Sequence, residues 1–294
     1  MTYFIPIQYH GKRYPNGIKS DIHEVSGHFD VNNLDINYPF SLHTEYSYGK
    51  RNLSSNLLRN FNTLKNSHKN FVPQLWYSSK WSIEFSRFIL KITNLDSNLK
   101  IIEIHPPFND YCRTIDQFMS RYLLFEDYII SKFPNVEIFL EHRSGSIYKG
   151  GKFLVSKAND ILKTAELIES KNLKLRLILD TPQLFSAHFN INNISERKIS
   201  HILKGLKPCM PYIKCLHIWG KKRNELGRWN AHIGDLNDFF HNNNSLKAIF
   251  LSELFDLSND GKKRYFVPEV NSTNQDLASI VSDFIDAGFN FAHK

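Results

Sequence analysis

The chain has few cysteines and lacks long apolar runs. Its three cysteines, Cys112, Cys209 and Cys215, have no CxxC spacing, which argues against a cysteine metal site and fits a reducing cytoplasm. No stretch reaches the roughly 18 apolar residues of a membrane span, and the first residues lack the basic and apolar segments of a secretory signal. The GxxxxGK[ST] pattern of a phosphate-binding P-loop is also absent. We therefore expect a cytoplasmic protein that does not enter a membrane.

The composition is that of a globular protein with a basic surplus. Among 294 residues, 41% are apolar and 22% are charged, and the formal charge is +8 with a pI near 9.2. Such a surplus favours nucleic acid or small phosphorylated substrates as partners. The lysines and arginines are scattered, however, so this signal is modest. The oligomeric state is left open.

Short apolar runs alternate with amphipathic stretches of helical length. This alternation predicts βα units around a parallel sheet. The predicted strands are residues 3–9, 38–43, 71–77, 100–105, 136–141, 175–180, 213–218 and 265–270. The predicted helices are residues 81–92, 115–132, 158–170, 196–206, 236–257 and 276–287, with an interruption at the asparagines 242–244.

Eight βα units in a chain of this length favour one fold. The sequence predicts an α/β fold, a (β/α)8 TIM barrel forming a single domain over residues 1–294. A doubly wound sheet is the competing interpretation, but it needs fewer strands or a second domain. No Pro-, Gly- or Ser-rich linker marks a domain boundary. Residues 10–37 are the least regular part and are interpreted as a possible irregular loop or lid.

Polar residues of metal-ligand type fall at the ends of the later strands. These residues are His105, Glu141, Asp180, His217 and Glu269. In a barrel the carboxyl ends of the strands form one rim, where active sites lie. Two imidazoles and three carboxylates suit a divalent ion such as Zn or Mn, with Mg or Co as further possibilities. Each residue alone also has a structural interpretation, and Asp180 could simply cap the following helix.

A second histidine follows the seventh predicted strand. His232 lies in the tripeptide His-Ile-Gly, after a loop that carries four cations. This loop could hold an anionic substrate through Lys221, Lys222, Arg223 and Arg228. We count His232 among the predicted metal ligands.

Two further residues near the predicted rim have competing interpretations. Arg143 could clamp a phosphate or carboxylate, or it could form an ion pair with Glu141 or Asp180. His43 ends the second predicted strand and could reach the rim, but we rank it below the other strand-end residues.

The order of these segments resembles a known superfamily. The segments IEIHPPF, FLEHRSG, LILDTPQ, LHIWG, NAHIGDL and FVPEV are similar to those of the endonuclease IV and xylose-isomerase-like TIM barrels, the AP endonuclease family 2, from about residue 71 onwards. The resemblance implies divalent metals at the rim. The endonuclease branch uses three zinc ions to hydrolyse a phosphodiester, and the sugar branch uses one Mn, Mg or Co ion.

The resemblance also implies roles for individual residues. Glu141, Asp180, His217 and Glu269 match the metal set shared by both branches, while His105 and His232 match further ligands of the endonuclease branch. Three positions depart from the endonuclease pattern because neutral amides replace its ligands. In our alignment Gln74 replaces a histidine on the third strand, Gln183 replaces a histidine three residues after Asp180, and Asn230 replaces an aspartate two residues before His232. Amide oxygens are poor zinc ligands. We therefore expect one or two ions rather than three, and these amides are placed among the substrate-binding candidates.

Three functions remain open from the sequence. The first is a metal-dependent, endonuclease IV-like phosphodiester hydrolase acting on nucleic acid, with Glu141, Glu269 and His232 as its catalytic residues. The second is a metal-dependent sugar isomerase or epimerase, in which Glu141 and Glu269 form the proton-transfer pair. The third is a non-catalytic barrel that binds nucleic acid or another partner.

Overall fold

The computed structural model describes residues 3–15, 17–47, 49–148, 151–189 and 194–292. Its strands are β1 Tyr3–Gln8, β2 Ile22–Gly27, β3 Phe40–Thr44, β4 His68–Lys69, β5 Val72–Pro73, β6 Leu99–Ile104, β7 Glu137–Glu141, β8 Ile147–Tyr148, β9 Gly151–Lys152, β10 Arg176–Asp180, β11 Ile213–Ile218, β12 Lys221–Arg223, β13 Trp229–Ala231, β14 Lys263–Pro268 and β15 Asn290–Phe291. Its helices are α1 Asn62–Asn66, α2 Ser79–Thr93, α3 Ile115–Lys132, α4 Ala158–Ser170, α5 Thr181–His188, α6 Glu196–Gly205, α7 Leu236–Phe239, α8 Asn244–Ser258 and α9 Asn274–Asp286.

Eight strands form the main sheet in chain order. The order is β1, β2, β3, β6, β7, β10, β11, β14, and β14 pairs again with β1; the short β15 lies beside β1. The pairs β1–β2, β1–β14, β3–β6, β6–β7 and β11–β14 are parallel, with His43 opposite Glu103 and Ile104 opposite Leu140. This closed order confirms the predicted (β/α)8 barrel. The interpretation as a single domain over residues 1–294 stays a prediction.

One predicted strand is wrong, and one true strand is missing from the prediction. Residues 71–77 contribute only Val72–Pro73 to a small two-stranded sheet, with Pro73 at its end. The second barrel strand is β2, inside the segment 10–37 that was expected to be irregular. Its sequence IHEVSG is half-buried and mostly polar, so it shows no apolar run. Residues 71–77 are apolar for another reason, because Trp76 packs against Trp81 and Phe118 beneath helices α2 and α3.

The packing of the Cα atoms divides the chain into two compact units. The first unit comprises Met1–Glu24 and Ile178–Lys294, and the second comprises Val25–Leu177. In the first unit the core includes a group of phenylalanines in which Phe4 contacts Phe266 and Phe289 at 5.2 and 5.1 Å between ring centroids. In the second unit the core contains the tryptophans above with Phe85 and Phe125.

The helices follow the predicted periodicity, with one break. The stretch 236–257 forms two helices, α7 and α8, and the asparagines between them interrupt it as expected. Thr114 and Thr273 cap α3 and α9 by accepting backbone hydrogen bonds at their N-termini, which is a strong helix-start signal. Among the described helices, none is both long enough and apolar enough to cross a membrane.

Candidate metal centre

Three strand ends of the second unit bring two imidazoles and a carboxylate together. His43 lies near the end of β3, His105 directly follows β6, and Glu141 ends β7. The His105 Nε2 atom lies 2.9 Å from His43 Nε2 and 2.9 Å from Glu141 Oε2, and the remaining His43–Glu141 distance is 3.6 Å. We call these three residues the HHE cluster. His105 and Glu141 are buried, and the side chain of His43 is 13% exposed.

The HHE cluster has the geometry of a metal-ligand set. Zinc binds nitrogen and oxygen at about 2.0–2.1 Å, so two ligand atoms of a tetrahedral ion lie about 3.3 Å apart. The three distances in the cluster bracket this value. Among the described residues, these atoms form a group able to hold one ion, and imidazole with carboxylate suits Zn and Mn.

A backbone carbonyl fixes the orientation of the His105 ring. The Nδ1 atom of His105 lies 3.2 Å from the carbonyl oxygen of Glu45, so this nitrogen carries the proton and donates it. The lone pair of Nε2 then points into the cluster. Metal-binding histidines are oriented in this way by hydrogen bonds to their second nitrogen.

The protonation states also favour a cation. Burial lowers the pKa of His105 to about 4, although Glu141 opposes this shift. The imidazole is therefore neutral at pH 7. Burial alone would raise the pKa of Glu141, but a hydrogen bond from His43 and the charge of Arg143 oppose it, and the pKa lies below its usual range. A neutral imidazole beside an ionised carboxylate is the form that binds metal.

Arginines and one tyrosine surround the HHE cluster. Arg143 donates from Nη1 to Glu141 Oε1 at 3.1 Å, which confirms the ion-pair interpretation of this arginine. Its guanidinium lies over the rings of Tyr46 and Phe153 at 5.4 and 5.5 Å. Arg51 lies over the same Tyr46 ring at 5.0 Å. Among the described residues the buried Nε of Arg143 has no partner, so one donor remains for an anion.

Strand ends of the first unit carry the other predicted ligands. Asp180 ends β10 and caps helix α5, which confirms its interpretation as a helix cap. Its Oδ2 accepts from Gln183 Nε2 at 2.9 Å and from Trp219 Nε1 at 3.0 Å. The capping bond runs from the backbone nitrogen of Gln183 to Oδ1 at 2.9 Å. A metal-binding role for Asp180 stays a prediction.

Glu269 lies between His217 and His232 in the first unit. Its Oε1 is 3.3 Å from His217 Nδ1, and its Oε2 is 3.5 Å from His232 Nδ1. His217 and Glu269 are buried, whereas the side chain of His232 is 28% exposed. His232 donates from Nδ1 to the Glu269 carbonyl at 3.2 Å. Burial and Glu269 raise the pKa of Tyr9 above its usual value, so the phenol stays protonated beside the carboxylate.

The backbone around His232 is held in an uncommon conformation. His232 has a φ of +61°, in the left-handed region, and its ring packs on Trp219 with centroids 4.5 Å apart. Two residues later Gly234 has a φ of +83°, and a Cβ there would lie 2.2 Å from Asp238 Oδ2. Only glycine fits this position, which gives a physical reason for the His-Ile-Gly sequence.

The three amide side chains lie in different elements of the structure. Gln183 is buried and donates to Asp180, as described above. Asn230 is exposed on β13. Gln74 follows the small strand β5 and not a barrel strand, so the alignment that placed it at a third-strand ligand position is wrong. The third strand of the barrel is β3, and the residue of ligand type near its end is His43.

The four cations after β11 lie on an antiparallel hairpin. Lys221, Lys222 and Arg223 form β12, and the last pairs with Trp229 at the start of β13. Arg228 is exposed in the connecting turn. Lys222 lies 3.3 Å from Asp238 Oδ1. Substrate binding by these cations stays a prediction.

Sequence reasoning underrated His43 and missed the groups that orient the ligands. His43 ends an apolar run in the same way as His105, so the strand-end signal was present. The roles of Glu45 and Trp219 had no such signal, because a backbone carbonyl and an indole N–H leave no pattern in a sequence.

Comparisons with known proteins find only distant structural similarity. No family model matches the chain, and a search of the curated proteins found no match. Similar solved structures include AsfvAP:AG, with 14% identity, a TM-score of 0.49 and coverage of 85% of this chain and 84% of that chain. They also include a sugar phosphate isomerase/epimerase from Parabacteroides distasonis, with 11% identity, a TM-score of 0.39 and coverage of 84% and 86%. The GH36 alpha-galactosidase AgaA of Geobacillus stearothermophilus has 12% identity and a TM-score of 0.38, and the match covers 85% of this chain and 30% of that chain. All three matches have TM-scores below 0.5 and identities below 15%, so the functional argument rests on the side chains.

Proposed function

We propose that the protein is a metal-dependent phosphodiester hydrolase of the endonuclease IV type, acting on nucleic acid at the carboxyl ends of its barrel strands. The observation that carries the proposal is the HHE cluster, with three ligand atoms 2.9 to 3.6 Å apart and a ring orientation suited to metal. The resemblance of the strand-end segments to that branch supports the proposal independently.

Different residues would bind the metal ions and the substrate. The HHE cluster would hold one divalent ion, Zn or Mn, and the resemblance implies a second ion among Asp180, His217, His232 and Glu269. When bound, such an ion acts as a Lewis acid on a phosphoryl oxygen. Arg143 would donate its remaining N–H groups to a phosphate, since a guanidinium forks onto phosphate oxygens. Its packing against Tyr46 and Phe153 holds it in place for this role.

The basic hairpin supports nucleic acid over a sugar. A sugar isomerase has no need of cations that face solvent beside the site. Phosphodiester backbones bind lysine and arginine and release counterions, so binding weakens as salt rises. Lys222, Arg223 and Arg228 are exposed and suited to that contact.

Elemental analysis combined with strand cleavage tests the proposal. We expect purified protein to carry Zn or Mn and to cleave an oligonucleotide that contains an abasic residue. Glu141→Gln and Glu269→Gln keep the size of each side chain but remove its charge, and each should slow cleavage at least about 100-fold. His201→Ala is the matched control, because His201 is an exposed histidine on helix α6.

Two results would contradict the proposal. One is cleavage by Glu141→Gln or Glu269→Gln at the wild-type rate, which would assign the nuclease activity to a contaminant or to other residues. The other is turnover of a ketose with Mn in the absence of strand cleavage, which would identify a sugar isomerase or epimerase instead.

A further inference from the structure

A polar cleft in the first unit is lined by the hairpin β12–β13 and by the turn between α7 and α8. Its volume is about 450 Å³, within the roughly 300–1,000 Å³ of ligand pockets. The lining residues are Lys221, Lys222, Arg223, Trp229, Asp238, His241 and Asn242. These residues combine cations with aromatic rings, which is the combination that binds a phosphate and a base together.

The positive charge of the cleft exceeds what its carboxylate neutralises. Lys222 pairs with Asp238 at 3.3 Å. In the described part of the chain, no carboxylate lies within ion-pair distance of Lys221 or Arg223. Lys221 is half-buried, and burial lowers its pKa. An anionic ligand would offset this cost of burial by pairing with the ammonium group.

The aromatic side of the cleft is held by the turn between the helices. The rings of Trp229 and His241 meet edge to face, with centroids 4.9 Å apart. Arg223 lies over the Trp229 ring at 4.8 Å. His241 and Asn242 have φ values of +55° and +58°, a strained conformation for two consecutive residues other than glycine. This turn directs His241 towards the tryptophan.

His241 is uncharged at pH 7. Burial, Arg223 and Lys221 all lower its pKa below the usual 6.5. The imidazole therefore presents a neutral ring at pH 7. The cleft thus has a cationic side and a neutral aromatic side.

We propose that this cleft binds one unpaired nucleotide of a nucleic acid strand. The three cations of β12 would hold its phosphate, and Trp229 with His241 would stack on its base. Stacking on aromatic side chains is the usual way in which proteins hold unpaired bases. The inference rests on the proposed function, because it identifies the form of nucleic acid that the basic hairpin binds.

The test compares how tightly the protein binds two single strands of five nucleotide units each. One is fluorescein-labelled pentathymidylate, and the other has the same backbone without bases; both carry phosphorothioate linkages to resist cleavage. Trp229→Leu should weaken binding of pentathymidylate by roughly 5- to 150-fold, the range for a lost base stack, and leave the base-free strand unaffected. Trp229→Phe should retain most of the affinity, and it also guards against misfolding of the leucine variant.

A charge variant tests the phosphate side of the cleft. Lys221→Met should weaken binding of both strands equally. It should also reduce the slope of the logarithm of the binding constant against the logarithm of the salt concentration by about 0.7. Tyr77→Leu and Lys80→Met are matched controls, since both residues are exposed and neither lines the cleft. Equal losses for both strands in Trp229→Leu, or tighter binding of a duplex than of pentathymidylate, would overturn the inference.

The outcomes separate the inference from the proposed function. Base-dependent binding without strand cleavage would uphold the cleft and contradict the hydrolase. Cleavage with no base-dependent binding would leave the hydrolase standing and refute the nucleotide cleft.

Discussion

Removal of the His43 imidazole tests the HHE cluster at the residue that the sequence ranked lowest. His43 Nε2 lies 2.9 Å from one partner and 3.6 Å from the other, so His43→Ala leaves two ligand atoms of three. Loss of a group that only orients a ligand already weakens metal binding by about 10- to 100-fold. We therefore expect His43→Ala to weaken zinc binding by about 100-fold or more.

This loss converts into a measurable change in thermal stability. At a free zinc concentration 100 times the wild-type Kd, the ion stabilises the folded protein by about 2.7 kcal/mol. An affinity 100-fold weaker reduces that stabilisation to about 0.4 kcal/mol. The difference of about 2.3 kcal/mol corresponds to a zinc-induced rise in Tm that is about 5 °C smaller, at about 2 °C per kcal/mol for a chain of this size.

The assay is differential scanning fluorimetry of both proteins, with zinc and with a chelator. The Tm of each protein with zinc is compared with its own Tm in chelator, so any packing lost with the His43 imidazole, whose side chain is only 13% exposed, cancels from the comparison. His201→Ala should show the full zinc effect of the wild type. The reasoning is refuted if zinc and manganese leave the wild-type Tm unchanged, or if His43→Ala gains as much stability as the wild type does.

Three further predictions concern stability. Arg264 lowers the pKa of Asp260 to about 2. Because the pKa is lower in the folded state, this carboxylate stabilises the protein above about pH 4, and the contribution should vanish as pH falls to about 2. Urea unfolding of the wild type and of Asp260→Asn across this pH range measures the contribution. Trp76 is buried and donates to the His105 carbonyl at 2.7 Å, so Trp76→Ala should cost about 3–5 kcal/mol in urea unfolding. A Cβ at Gly220 would lie 2.3 Å from the backbone of Gly234, so Gly220→Ala should destabilise the protein by about 1–3 kcal/mol. A urea midpoint equal to that of the wild type would show that the loop at Gly234 can move aside.

The later strands could be predicted because their signals are local. Residues 136–141, 175–180 and 213–218 are mostly apolar, as expected for strands buried on both faces, and each carries a residue of metal-ligand type at its last or penultimate position. The parallel order then places those residues at one end of the sheet. His105 and Glu141 follow this rule, and the sequence identified both.

The second strand could not be predicted because its signal is not local. β2 has only two apolar side chains among six residues, and it joins the sheet through its backbone and its neighbours. The segment 71–77 is apolar because it covers helices, which a run of hydrophobic residues does not distinguish from a strand. The resulting error in strand count moved the third-strand position from His43 to Gln74.

Correcting that position changes the expected number of metal ions. With His43 at the end of the third strand, only Gln183 and Asn230 still depart from the endonuclease pattern described above. Gln183 donates its amide N–H to Asp180 Oδ2, so its nitrogen faces the carboxylate and does not act as a ligand. Asn230 is exposed on the hairpin.

We therefore expect two ions per chain and not three. Elemental analysis should give about two equivalents of Zn or Mn for the wild type and about one for His43→Ala, since the second set of ligands is intact in that variant. Gln183→His and Asn230→Asp together should raise the count towards three if these amides are what removes the third site. A wild-type count of three would show that amides or water complete that site, and the loss of both ions in His43→Ala would show that the two sites bind metal as one unit.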